Sequence, residues 1–124
     1  MIPELSFDDN SEVLKIKFTE PWIEEVIPEF FSRMRAMLDG RGHRNIIGDV
    51  TDAAQQKYTK KFRQMIADES ESLNLDRVAI LGANPVLKMM AKVLLAVIGK
   101  KLLVEANFFS KEDDAFEWLK GETE

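Results

Sequence analysis

The sequence predicts one α/β domain with a mixed, mostly parallel sheet that opens on an N-terminal hairpin and carries four helices. Three observations predict it. Short runs of β-branched and aliphatic residues alternate with longer stretches whose apolar residues recur at three- and four-residue steps. The first two runs follow each other across a turn, whereas each later pair is separated by a helical stretch, as parallel pairing requires. A chain of 124 residues, 45% hydrophobic and 31% charged, matches one globular domain over residues 1–124 that can bury a core without disulfides or a metal.

The elements follow in order. Leu5 and Phe7 alternate with polar neighbours and lead into the turn-forming Asp8-Asp9-Asn10-Ser11. Val13, Ile16 and Phe18 continue beyond it, so strands are expected over 4–7 and 12–19. Thr19 before Glu20-Pro21 reads as a helix cap, and apolar residues from Trp22 to Leu38 fill one helical stripe up to a glycine stop at Gly40. Pro28 lies inside that stripe and either kinks the helix or restarts it. A strand is expected over 44–50. Asp52 is the expected cap of a helix whose stripe is Tyr58, Phe62, Met65, Ile66 and Leu73. Residues 77–82 form a continuous β-type run, as in a central strand covered on both faces. Asn84-Pro85 opens a helix that Gly99 would end. Residues 102–109 read as a last strand, and Ser110 as the cap of a helix over 111–120.

Composition excludes several classes of function. The absence of cysteine removes disulfide scaffolds, thiol nucleophiles and Cys-zinc sites. His43 is the single histidine, too few for a histidine metal cluster or a Ser-His-Asp triad. A net charge of −5 argues against general nucleic-acid binding. The N-terminal MIPELSFDDN has neither a basic nor an apolar export region, which leads us to expect a cytoplasmic protein. The longest apolar run, Val93–Ile98, is far short of the roughly 20 residues a bilayer span requires, so no transmembrane segment is expected.

The element order, together with four stretches, resembles the SpoIIAA-like family of the STAS fold, that of the anti-sigma factor antagonists. "VLKIKFTEPWIEEVIPEFFSRM" is similar to its second strand and first helix, "NIIGDVTDA" to the acidic end of the next strand, and "DRVAILG" to the central strand. "ANFFSKEDDAFEWLKG" is similar to the closing strand and helix, with Phe108, Ala115, Trp118 and Leu119 its most specific part. The resemblance covers roughly residues 4–121 and implies a regulatory binding module without catalysis. The family's fold is also compared with CRAL-TRIO lipid-binding domains, which implies an apolar ligand as the alternative. One departure is clear. Anti-sigma factor antagonists carry an Asp-Ser-x-Gly type of motif with a phosphorylated serine, whereas this chain reads Asp49-Val50-Thr51-Asp52-Ala53-Ala54-Gln55. The phosphoserine switch does not carry over, and a phosphate on Thr51 would sit between two carboxylates.

Two groups of candidate site residues remain. In an open, mostly parallel sheet, ligands favour the carboxyl ends of strands. That edge should carry Asp49, Thr51, Asp52 and Asn84, although capping and turn formation alone explain such residues. Asp49 and Asp52 show no environment that would tune a carboxylate for acid-base work, so no catalytic residue, cofactor or metal is expected. Gly82-Ala83-Asn84-Pro85 lacks the glycines and lysine of a phosphate loop, and Lys57, Lys60, Lys61 and Arg63 read as a solvated helix face. The helix from Pro85 is more informative. Its apolar arc spans about 240° on a 100° wheel, where a helix on one sheet needs little more than about 100°. Leu87, Met89, Met90, Val93 and Leu94 are therefore the expected interaction or ligand face. The expected function is a non-enzymatic regulatory or protein-interaction module that forms a homodimer or binds a protein partner. The alternative is a carrier or sensor of a small apolar ligand or lipid.

Overall fold

The computed structural model describes residues 3–54, 56, 59–101 and 105–121, with the side chains of 94, 97–101 and 121 outside the description. Among the described residues, the chain runs β1 (Glu4–Asp8), β2 (Val13–Lys17), a 3-10 turn (Glu24–Val26), α1 (Ile27–Leu38), β3 (Asn45–Asp49), α2 (Lys60–Glu71), β4 (Arg77–Leu81), α3 (Pro85–Lys101), β5 (Glu105–Phe109) and α4 (Glu112–Gly121). The sheet order is β1-β2-β3-β4-β5. β1 pairs antiparallel with β2, and every later pair is parallel. The expected class, element order and hairpin start therefore stand.

This order dictates where the helices go. Three successive parallel crossovers that advance in one direction with one hand must place α1, α2 and α3 on the same face. That face buries Leu14, Ile16 and Ile46 against Phe30, Phe31 and Met34 of α1 and Phe62 and Ile66 of α2. The other face, with Val13, Ile47, Ala79 and Leu81, is left to Ala115 and Leu119 of α4.

Arg77 fastens α4 there. It is 7% exposed; its guanidinium donates to the Trp118 carbonyl at 3.0 Å and to Glu105 Oε1 at 3.2 Å, and lies 4.6 Å from the Trp118 ring centroid. A buried guanidinium persists only when paired in this way. Lys15 adds an ion pair to Glu112 at the start of α4.

Several local expectations need correction. The first helix does not begin at Thr19-Glu20-Pro21. Pro28 sits in the first turn of α1, so it restarts the helix rather than kinking one. The residues before it spend their backbone groups elsewhere: Ala54 N donates to Thr19 O at 2.8 Å, and Trp22 N donates to Gln56 Oε1 at 2.6 Å. Asp52 does not cap α2. Thr59 does, its hydroxyl accepting from Phe62 N at 3.0 Å, and Leu73 lies past the helix end. Gly99 does not stop α3, because a lone glycine inside an apolar helix costs only about 1 kcal/mol. α4 starts at Glu112, and β1 reaches Asp8. β2, β3 and β4 are shorter than expected by one or more residues. Within the last expected strand, 102–104 lie outside the described residues, as does Tyr58.

Two glycines have left-handed backbone, Gly40 after α1 (φ 77°) and Gly82 after β4 (φ 78°). A Cβ at Gly40 would meet nothing within 4 Å, but one at Gly82 would lie 3.0 Å from Thr51 Cβ and 3.1 Å from Thr51 Cα. Urea unfolding should therefore show Gly40→Ala costing about 1 kcal/mol, the conformational term alone. Gly82→Ala should cost at least about 2 kcal/mol. Equal costs would mean that the Thr51 contact does not constrain the turn. The same assay separates the two cap candidates. Thr59→Ala should lose about 1 kcal/mol while Asp52→Ala stays within about 0.5 kcal/mol, and the reverse order would restore the sequence expectation.

Candidate functional site

The strand-end residues do gather at one edge, but their side chains are occupied locally. Asp49 Oδ1 accepts from Thr51 N at 3.0 Å and Thr51 Oγ1 at 2.7 Å, closing a turn. Asp52 is exposed and lies 4.0 Å from Lys17 Nζ. Asn84 Oδ1 accepts from Leu87 N at 2.8 Å and caps α3. The ladder continues past this edge, with Val50 N donating to Leu81 O and Gly82 N to Phe109 O, both at 2.9 Å. Among the described residues no group of three or more His, Cys, Asp or Glu is placed to hold a metal ion.

The α3 residues do not share one face. Leu87 is buried and turns inward with the half-buried Ala91 and Leu95. Met89 (62% exposed) and Val93 (44%) point outward together with Val86 (42%), and Met90 is half-buried. The Leu94 side chain lies outside the description. The wide apolar arc therefore divides in two: one sector faces the interior and another faces solvent. Lys88 and Lys92 are exposed and lie 5.4 and 5.9 Å from the centroid of the Phe108 ring.

Beneath the inward sector is a cavity of about 160 Å³. It lies between the sheet residues Ile46, Val78 and Ile80 and the three helices of that face, where Phe30, Ile66 and Leu87 contribute. Val78 and Ile80 are only half-buried although they belong to central β4, and α3 makes its main contacts with α2 and β5. Trp22, Gln56 and Glu20 also line the cavity, from the loops that follow β2 and β3.

These loop residues have no counterpart among the expected site residues. Trp22 reads in the sequence as one more member of a helical stripe. In the fold it precedes the helix and is the hub of an aromatic cluster, with ring centroids 5.3 Å from Phe18, 5.2 Å from Phe30 and 5.3 Å from Phe62. The Gln56 amide clamps the Trp22 backbone from both sides, accepting from its N–H at 2.6 Å and donating to its carbonyl at 2.8 Å. No periodicity marks Gln56, since its role depends on the approach of two loops distant in sequence. Among the described residues two buried side-chain atoms have no hydrogen-bond partner, Trp22 Nε1 in this cluster and Asn45 Oδ1 at the start of β3.

Comparison with known proteins places this geometry. A family model described as a domain of unknown function (DUF7793) matches residues 19–123. No curated protein matches the sequence. Among solved structures, an uncharacterized protein of the DUF3478 family with a SpoIIAA-like fold from Shewanella loihica is similar at TM-score 0.67 and 16% identity, over 94% of this chain and 91% of the other. An anti-sigma-factor antagonist (STAS) domain protein from Planctomyces limnophilus is similar at TM-score 0.59 and 12% identity, over 96% and 98%. RsbS from Moorella thermoacetica is similar at TM-score 0.61 and 14% identity, over 98% and 97%. No helix among the described residues is long and apolar enough to cross a membrane. TM-scores of 0.59 to 0.67 with near-complete coverage establish the STAS/SpoIIAA-like fold, and the chain belongs to the family described as a domain of unknown function (DUF7793).

Proposed function

We propose that residues 1–124 act as one non-enzymatic regulatory module that works by contact, through the outer face of α3. The observation that carries this reading is the row Val86, Met89 and Val93, all more than two-fifths exposed on a helix whose inner sector is buried. Their spacing suits a helix that lays an apolar seam against another surface. Methionine adapts to irregular partners. Lys88 and Lys92 flank the seam on a chain whose net charge is −5, so an acidic surface such as a second copy of this chain complements it. The fold shared with an anti-sigma-factor antagonist domain supports regulation by protein contact. The strand-end carboxylates Asp49 and Asp52 support no catalytic role, since one closes a turn and the other is solvated.

A second reading, a carrier or sensor of a small apolar ligand, is favoured by the cavity beneath α3. A carbon-lined space of this size is suited to an apolar guest.

Sedimentation velocity tests the first reading. The wild-type chain should form dimers, and Met89→Asp or Lys88→Glu should shift it toward a monomer that keeps the wild-type far-ultraviolet circular dichroism, since both side chains are exposed. Identical monomers for all three proteins would exclude self-association through this face. Native mass spectrometry of gently purified protein tests the second reading. A bound small molecule is expected, and a bare polypeptide mass that persists when apolar compounds are added would remove the ligand reading.

A further inference from the structure

The outer face of α3 also specifies the kind of surface that covers it, an inference that rests on the contact reading above. Charge sets the first condition. α3 spans 17 residues with four lysines and no acidic residue. Lys88 and Lys92 stand one helical turn apart beside Met89. Among the described residues neither makes an ion pair, and both lie near the ring of Phe108. Two α3 helices meeting about a two-fold axis would bury Met89 and Val93 but offer the lysines no counter-charge. A partner that brings carboxylates one turn apart beside apolar surface meets both needs.

The chain carries such a surface on α4. Asp113, Asp114 and Glu117 are exposed there and form no ion pair among the described residues. Acids on the other helices are engaged or isolated. Glu29 pairs with Arg33, Glu69 pairs with Arg35, Asp68 accepts from Gln64, and Glu71 stands alone at the end of α2. Asp113 and Glu117 repeat the four-residue spacing of Lys88 and Lys92, so two helices lying side by side can set both charge pairs in register. Phe116, half-buried beside these acids, offers apolar surface to the row of Met89 and Val93.

The fold decides the symmetry of that contact. α3 and α4 pack on opposite faces of the sheet. At roughly 100° per residue, Met89 lies about 160° around α3 from the buried Leu87, and Glu117 about 160° around α4 from the buried Leu119. The two surfaces point away from each other, so one copy cannot engage a single neighbour through both. A contact of this type is heterologous and does not close on itself. We propose that the outer face of α3 docks on the outer face of α4 of a second copy of this chain, with Lys88 and Lys92 against Asp113 and Glu117 and Met89 against Phe116, so that copies add head to tail.

Sedimentation velocity of the full chain and two blocked variants tests this arrangement. Met89→Asp blocks α3 and leaves α4 intact, whereas the double variant Asp113→Lys, Glu117→Lys blocks α4 and leaves α3 intact. The wild-type chain should pass beyond the dimer as concentration rises. Each variant alone should stay monomeric at those concentrations, and an equimolar mixture of the two should form a one-to-one dimer that grows no further. The assignment to α4 is overturned, while contact through α3 survives, by any of three results: a wild-type chain that stops at the dimer, a double variant that associates as wild type does when Met89→Asp does not, or a mixture that stays monomeric. A wild-type chain that is monomeric throughout removes both readings. Should the double variant lose its far-ultraviolet circular dichroism, Glu117→Lys alone takes its place. One reversed charge inside the contact should weaken self-association by about tenfold or more, and an unchanged dissociation constant would overturn the proposal.

Discussion

The structure depends on one constraint of handedness. Strands β2 to β5 lie side by side in sequence order and run parallel, so each right-handed crossover deposits its helix on the same side. Three helices compete for one face, and the opposite face would be bare without the C-terminal helix. The buried Arg77 meets that need. It ties the Trp118 carbonyl of α4 to the first residue of β4 and pairs with Glu105 on β5, so the last helix and the last strand are held by one guanidinium. Its bonds to a carbonyl and a carboxylate satisfy the charge that burial would otherwise leave unpaired.

Crowding on the other face shapes both candidate surfaces. α2 lies between α1 and α3 and contacts each. α3 makes its main contacts with α2 and the edge strand β5, space remains above Val78 and Ile80, and Met89 and Val93 face solvent. The cavity and the exposed row thus lie on opposite sides of the same helix. The polar strand ends lie outside this arrangement. Asp49 and Asn84 are consumed by turn and cap bonds, which accounts for their presence without any ligand.

The loops at the carboxyl edge give the cavity its fixed wall. The Gln56 amide takes the place of a neighbouring strand for the Trp22 backbone, and Ala54 bonds Thr19 in the same zipper. Held in this way, Trp22 packs edge-on against Phe30 and Phe62, a geometry that adds to the burial of its ring. The cost is an indole donor left without a partner among the described residues, a defect that is rare in folded proteins.

Much of the fold was legible in the sequence because it is written in local periodicity. The alternation at Leu5 and Phe7, the unbroken run at Arg77–Leu81 and the helical stripe ending at Gly40 each report on their own backbone. The strand order then follows from chain order and crossover handedness. The width of the apolar arc on α3 was legible too, since it needs only a wheel. Its partition was not. Whether Leu87 or Met89 faces inward depends on where α2 stands, and that is set by residues far away in sequence. The same holds for the start of α1, where Thr19 and Trp22 give their backbone groups to Ala54 and Gln56 across a loop that no periodicity announces. By itself the sequence determined element type, class and the lack of cysteine and histidine chemistry, because composition and nearest-neighbour spacing are properties of the chain. Only the tertiary structure decided the cavity, the unsatisfied indole and the division of α3, because each arises from surfaces that meet only once the crossovers are packed.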